Sequence, residues 1–146
     1  MARTWSTGML SHFLSQGSEL TLKGLVSLLE EAIIVTLKEF DLTGGRRQGM
    51  RGVWVGDQKI ASIGLGVKKW ISYHGIALNV SPDMCFFNWI SPCGLRDIKM
   101  VSMQDLLQNN VSIFQVKRVL INTLAEIFKL YLIPIKLHEA QKIYVQ

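Results

Sequence analysis

The chain has 146 residues, with 16 Lys and Arg against 11 Asp and Glu, for a formal net charge of +5. Hydrophobic residues make up 49% and charged residues only 18%, the reverse of the composition that keeps a chain disordered. The length supports one domain with a buried core and leaves little room for a second.

No internal repeat or low-complexity tract is present. The most apolar stretch, Leu25 to Leu37, is cut by Glu30 and Glu31 and falls short of the roughly 20 residues that cross a bilayer. His12, Gln16 and Glu19 interrupt any apolar core near the N-terminus, so no secretory signal is read there. Two cysteines, Cys85 and Cys93, are too few for a disulfide framework. A cytoplasmic protein with reduced thiols is expected. Its modest basic excess suits acidic partners.

Residues 1 to 17 mix Thr, Ser and Gly with Trp5 and Phe13 and show no sustained period. They read as a diverged or poorly ordered segment ahead of a single domain over residues 18 to 146. Ser18 is a candidate N-cap. Leu22, Leu25, Val26, Leu29, Ala32, Ile33 and Leu37 then recur at helical spacing, which predicts an amphipathic helix ending near Phe40. Asp41 to Gly49 reads as a loop, with Arg46 and Arg47 as solvated arginines on a flexible turn.

Gly52 to Val55, Lys59 to Gly64 and Ile71 to Val80 read as strands, with a hairpin turn at Gly56-Asp57. Phe86, Phe87, Trp89 and Ile90 form an aromatic cluster leading to Ser91-Pro92-Cys93-Gly94. Ser102 with Asp105 resembles a capping arrangement for a short helix. Ser112 is placed to cap a longer one, with Val116 to Tyr131 along one face and Pro134 as its stop. Helix, strands and then helices define an α+β domain.

Cys93 sits between Pro92 and Gly94, in a loop suited to close backbone approach. A thiol of ordinary pKa, about 8.5, is mostly protonated at neutral pH. As a nucleophile it therefore needs a cation or base, and Lys59, Lys68, Lys69 and His74 are the supply in this half of the chain. By spacing alone, Cys93 reads as a small buried hydrophobe, and His74 as a hydrogen-bonded structural residue. His74, Cys85 and Cys93 lack the spacing of a zinc site, so no metal is expected. The aromatic run at Phe86 lacks the interleaved basic residues of a base-stacking platform, and no nucleic-acid-binding motif is matched.

Several segments together resemble one family, the octanoyltransferases of lipoate biosynthesis. These are Arg46-Arg47 with Gly49, Gly52-Val53-Trp54-Val55, Lys59-Ile60-Ala61-Ser62-Ile63-Gly64, Tyr73-His74-Gly75-Ile76-Ala77-Leu78-Asn79-Val80, and Ser91-Pro92-Cys93-Gly94. Their order and gaps look like the family's, and Leu28 to Ala32 fits the helix that precedes them. The resemblance covers about residues 22 to 95 well and the C-terminal helices loosely. It implies the fold of biotin and lipoate protein ligases, a mixed sheet flanked by helices. It also implies a catalytic Cys93 and Lys59, with Ser62, Ile63, Gly64, His74, Gly75, Ile76 and Ala77 lining an acyl pocket through backbone and small side chains.

The implied reaction moves an octanoyl group from octanoyl-acyl carrier protein to a lysine of lipoyl domains, those of the 2-oxoacid dehydrogenases and of the glycine cleavage H protein. No cofactor, nucleic acid or membrane enters it. The residue types suit this chemistry. Two unit charges 4 Å apart interact by about 4 kcal/mol at an effective dielectric near 20. A two-unit fall in a thiol's pKa needs only about 2.7 kcal/mol, so one well-placed ammonium is enough to hold Cys93 as thiolate.

The family also carries, upstream of its first helix, Arg-Gly-Gly and then Thr-x-His-Gly-Pro-Gly. Nothing in residues 1 to 17 contains that segment. The chain is therefore expected to lack the domain's usual N-terminal strands. An inactive relative that at most binds carrier or lipoyl domains is the alternative expectation.

Overall fold

The computed structural model describes residues 21–68, 71–85 and 98–131, with the side chains of 67–74 excepted. The first described helix, α1 (Leu22–Lys38), begins at Thr21, whose extended backbone and side-chain oxygen cap it by accepting from Gly24 N at 3.1 Å. The cap is therefore Thr21 rather than Ser18. Leu25, Leu29, Ile33 and Leu37 are buried along one stripe, as the three- and four-residue spacing requires.

Four strands follow among the described residues, β1 (Gly45–Arg47), β2 (Met50–Val55), β3 (Gln58–Lys68) and β4 (Ile71–Leu78). They lie in the order β1-β2-β3-β4, and every adjacent pair is antiparallel. Among the described residues, the sheet becomes mixed only at an isolated parallel bridge between Lys59 and Met100. The segment expected to be loop through Gly49 thus contains an edge strand, because Gly45 and Arg47 find partners in Trp54 and Met50. The β2–β3 hairpin turns at Gly56-Asp57, with Gly56 at φ +55 in the first central position. That conformation suits glycine and matches the strand twist.

Short helix α2 (Met103–Leu107) carries a reciprocal capping box. Asp105 N donates to Ser102 Oγ, and Ser102 N donates to Asp105 Oδ2, both at 3.1 Å. Helix α3 (Ile113–Phe128) starts at Ser112, which makes no side-chain cap bond. It stops at a left-handed Lys129, two residues before Tyr131, which is 98% exposed rather than part of an apolar face. A left-handed residue ends a helix by turning the chain away from its axis, so no proline is required. Pro134 lies outside the described residues.

Two hydrophobic clusters join the helices to one face of the sheet. Ile33, Leu37, Val53, Ile60, Ala61, Val80, Val101, Met103 and Val116 belong to the first. Leu25, Leu29 and Phe128 form the second, with Ile63, Leu65 and Ile76 against it. No described helix is long and apolar enough to cross a membrane.

A polar tie crosses this apolar layer. Glu30, 7% exposed on α1, accepts from Gly52 N at 2.9 Å and from Arg46 Nε at 3.2 Å. Arg46 also donates to Glu31 and to the Ser27 carbonyl. Arg47 pairs with Asp57 and stacks 4.6 Å from the Trp54 ring centroid. Both arginines are therefore engaged in specific pairs, contrary to the solvated turn read from sequence. Glu30→Ala is expected to destabilise the chain by about 2–3 kcal/mol, because it leaves the Gly52 N–H buried without its acceptor. Urea unfolding with an unchanged slope would measure this.

Candidate functional site

Lys59 is the one sequence-predicted catalytic residue within the described structure. It is 2% exposed, an unusual place for lysine. Its backbone is fixed on two sides. Trp54 is its partner in β2, while its N–H donates to the Lys99 carbonyl at 2.8 Å and its carbonyl accepts from Val101 N at 3.0 Å. Asn79 reinforces the junction. Its N–H donates to the Ile60 carbonyl at 3.0 Å, its side-chain amide donates to the Val101 carbonyl at 3.1 Å, and its carbonyl accepts from Met103 N at 2.9 Å.

The register shifts beside Lys59. Val53 pairs with Ala61 and Trp54 with Lys59, so Ile60 is the extra residue of a bulge. Bulges re-aim side chains and recur next to active sites. Here the Lys59 ammonium lies 5.6 Å from the Trp54 ring centroid, within cation–π range. Trp54 is 3% exposed, and its indole N–H is a buried donor with no protein acceptor among the described residues.

The predicted pocket residues come together across one strand pair. Ser62 faces Ala77, Ile63 faces Ile76, Gly64 faces Gly75, and Leu65 faces His74. Alternation then divides them. The Ile63 and Ile76 side chains join the apolar clusters with the helices. Ser62, Gly64, Gly75 and Ala77 occupy the opposite face, a strip of small residues where Gly64 and Ala77 are exposed. Gly52 and Trp54 alternate with core-facing Val53, and the Lys59 side chain lies beside both. Lys59 and the strip therefore share a face. The backbone of His74 pairs in β4, while its side chain is not described.

Cys93, with Pro92 and Gly94, lies outside the described residues, as do Phe86 to Ile90. Cys85 is exposed, and its N–H donates to Asp83 Oδ1 at 3.0 Å. Hydrogen bonds from the Cys85 side chain and then its backbone hold the Asp83 carboxyl below its ordinary range. Sequence reasoning missed Glu30, Gly52 and Asn79 as supports of Lys59. Glu30 carried a signal, since an acid inside an apolar helical stripe needs a buried partner.

Residues 8–125 match the family model described as lipoyl protein ligase A/B catalytic domain. That match extends beyond both ends of the segment, 22 to 95, that carries the sequence resemblance. An octanoyltransferase of Caldanaerobacter subterraneus subsp. tengcongensis is 43% identical over 102 residues, which are 70% of this chain and 44% of the relative. One from Syntrophobacter fumaroxidans is 43% identical over 112 residues, 77% of this chain and 49% of the relative. The chain thus spans about half the length of these curated relatives. Among solved structures, lipoate-protein ligase A bound with ATP superposes with a TM-score of 0.64 at 17% identity, over 86% of this chain and 54% of that one. The apo biotin protein ligase of Aquifex aeolicus gives 0.61 at 14% identity, over 86% and 51%. These likenesses establish the fold: an antiparallel sheet flanked by helices, as in lipoate and biotin protein ligases.

Proposed function

Because the chain belongs to the lipoyl protein ligase A/B catalytic domain family, we propose that it transfers an octanoyl group from octanoyl-acyl carrier protein to a lysine of lipoyl domains, through a thioester on Cys93. The observation that carries this reading is the buried Lys59, which shares a sheet face with the strip Ser62, Gly64, Gly75 and Ala77. Such a strip offers room for an acyl chain beside a cation. A further support is connectivity: Cys93 is six residues from Lys99, whose carbonyl accepts from the Lys59 N–H. Six residues reach about 20 Å at most, a span compatible with a Cys93–Lys59 pair.

In the first step the Cys93 thiolate attacks the donor's thioester carbonyl. A new C–S bond forms, and the carrier's thiolate leaves and takes a proton from the Lys59 ammonium. The carrier departs as the free thiol, and Lys59 is left neutral. Exchange of one thioester for another is nearly balanced and needs no nucleotide. In the second step the neutral amine of the acceptor lysine attacks the acyl-enzyme and forms an amide. The C–S bond breaks, the Cys93 thiolate is restored, and Lys59 in its neutral form takes the amine's proton. Replacement of a thioester by an amide drives this step forward. The net charge of +5 favours encounter with acidic carrier and lipoyl domains.

The test is octanoylation of a purified lipoyl domain by the chain and octanoyl-acyl carrier protein, followed by mass. Transfer is expected, together with its loss in Cys93→Ser. Undiminished transfer by Cys93→Ser would rule out the thioester route. Binding of lipoyl domain with no transfer by the unaltered, folded chain would favour the inactive-relative reading.

A further inference from the structure

We propose that Gly52 is a positioning residue for Lys59: the absence of a side chain at Gly52 creates the space in which the lysine stem runs. This rests on the reading of Lys59 as the proton acceptor in acyl transfer. Gly52 is buried and holds φ +113, a region that L side chains rarely adopt. A Cβ at this position would stand 2.6 Å from Lys59 Cε and 3.3 Å from Lys59 Nζ. It would also stand 2.4 Å from the Ala61 carbonyl oxygen. Gly52 cannot retreat easily, because its N–H is held by the buried Glu30 carboxylate at 2.9 Å.

The two close approaches have different consequences. The Ala61 carbonyl and the positive φ belong to the backbone, so they bear on stability. The Lys59 contact is with the far end of a side chain, which yields by moving. A Cβ therefore displaces the ammonium by about 1 Å, and a misplacement of that size costs on the order of 100-fold in rate. Two other strand glycines, Gly45 in β1 and Gly64 in β3, have open space where a Cβ would stand, with no atom within 4 Å. At Gly52, by contrast, both the Lys59 stem and the Ala61 carbonyl stand within 2.6 Å of that position.

The experiment compares Gly52→Ala with Val53→Ala, Lys59→Ala and the double variant Gly52→Ala/Lys59→Ala, in steady-state octanoyl transfer and thermal melting. Val53 is in the same strand but faces the helices, so its loss controls for stability alone. Gly52→Ala is expected to lower kcat about 100-fold while KM for the octanoyl donor stays within about twofold, a split that Val53→Ala does not reproduce. The double variant is expected to be no slower than Lys59→Ala, because Gly52 acts through that side chain. Full kcat in Gly52→Ala, or a double variant slower than Lys59→Ala, would overturn the proposal. If Gly52→Ala alone does not fold, folding of the double variant supports it, whereas failure of both assigns the cost to the Ala61 carbonyl and overturns it. Undiminished transfer by Lys59→Ala would instead overturn the reading of Lys59 itself.

Discussion

Replacing Lys59 by Met is expected to lower octanoyl transfer about 10²–10⁴-fold, the range that a positioned acid–base group contributes. The substitution keeps an unbranched stem of similar length in a position that is 2% exposed and removes only the charge and the proton-accepting nitrogen. Both proposed steps need that nitrogen. As a cation it favours the Cys93 thiolate, and in its neutral form it accepts the proton of the attacking amine. The backbone around it does not depend on the ammonium, because Lys59 N–H and carbonyl bond to Lys99 and Val101. The melting temperature is therefore expected to hold or rise slightly, since an uncharged stem suits burial better. Steady-state transfer together with a melting curve separates the two effects. Loss of rate with loss of fold would carry no mechanistic weight, whereas loss of rate alone is what the account requires.

Gly64→Val is expected to preserve the fold and to discriminate by acyl length. Gly64 is exposed, lies directly opposite Gly75, and has no atom within 4 Å of a built Cβ. A β-branched residue in a strand gains about 0.5–1 kcal/mol over glycine, so chemical denaturation should show no loss of stability. On the proposed acyl-binding face, however, the two added methyl groups occupy room meant for the chain. Excluding two or three methylenes, at about 0.8 kcal/mol each, lowers kcat/KM for octanoyl donor roughly 30-fold. A butyryl donor, which stops short of the obstruction, should lose far less. Equal losses for both donors would place the acyl chain elsewhere.

Local signals made much of this architecture legible. Gly56-Asp57 between two apolar runs gives its hairpin, and Ser102 with Asp105 gives its capping box, because each depends on residues within one turn. The spacing from Leu25 to Leu37 gives α1 for the same reason. What escaped depends on distant partners. Gly45 to Arg47 becomes a strand only because β2 supplies Trp54 and Met50 opposite it. Arg46 looks solvated until Glu30 and Glu31, from a helix 15 or 16 residues earlier, are brought to it. The end of α3 at Lys129 rests on a left-handed residue that is not glycine, for which the sequence carries no strong marker.

The site divides in the same way. The resemblance assigns Lys59 and the β3–β4 strip by residue, and pairing brings Ser62, Gly64, Gly75 and Ala77 to one face. That Ile63 and Ile76 turn their side chains away from that face follows from strand alternation once the core side is known. Gly52, read from sequence as the start of a strand and as part of a family-like segment, lies against a side chain seven residues away in sequence.

Acylation of Cys93 is read from the intact mass of the chain after mixing with octanoyl-acyl carrier protein alone, with no acceptor present. One octanoyl adduct is expected, which hydroxylamine removes and which Cys93→Ala does not form. A folded chain that stays unmodified, or an adduct that persists in Cys93→Ala, would contradict the thioester on Cys93.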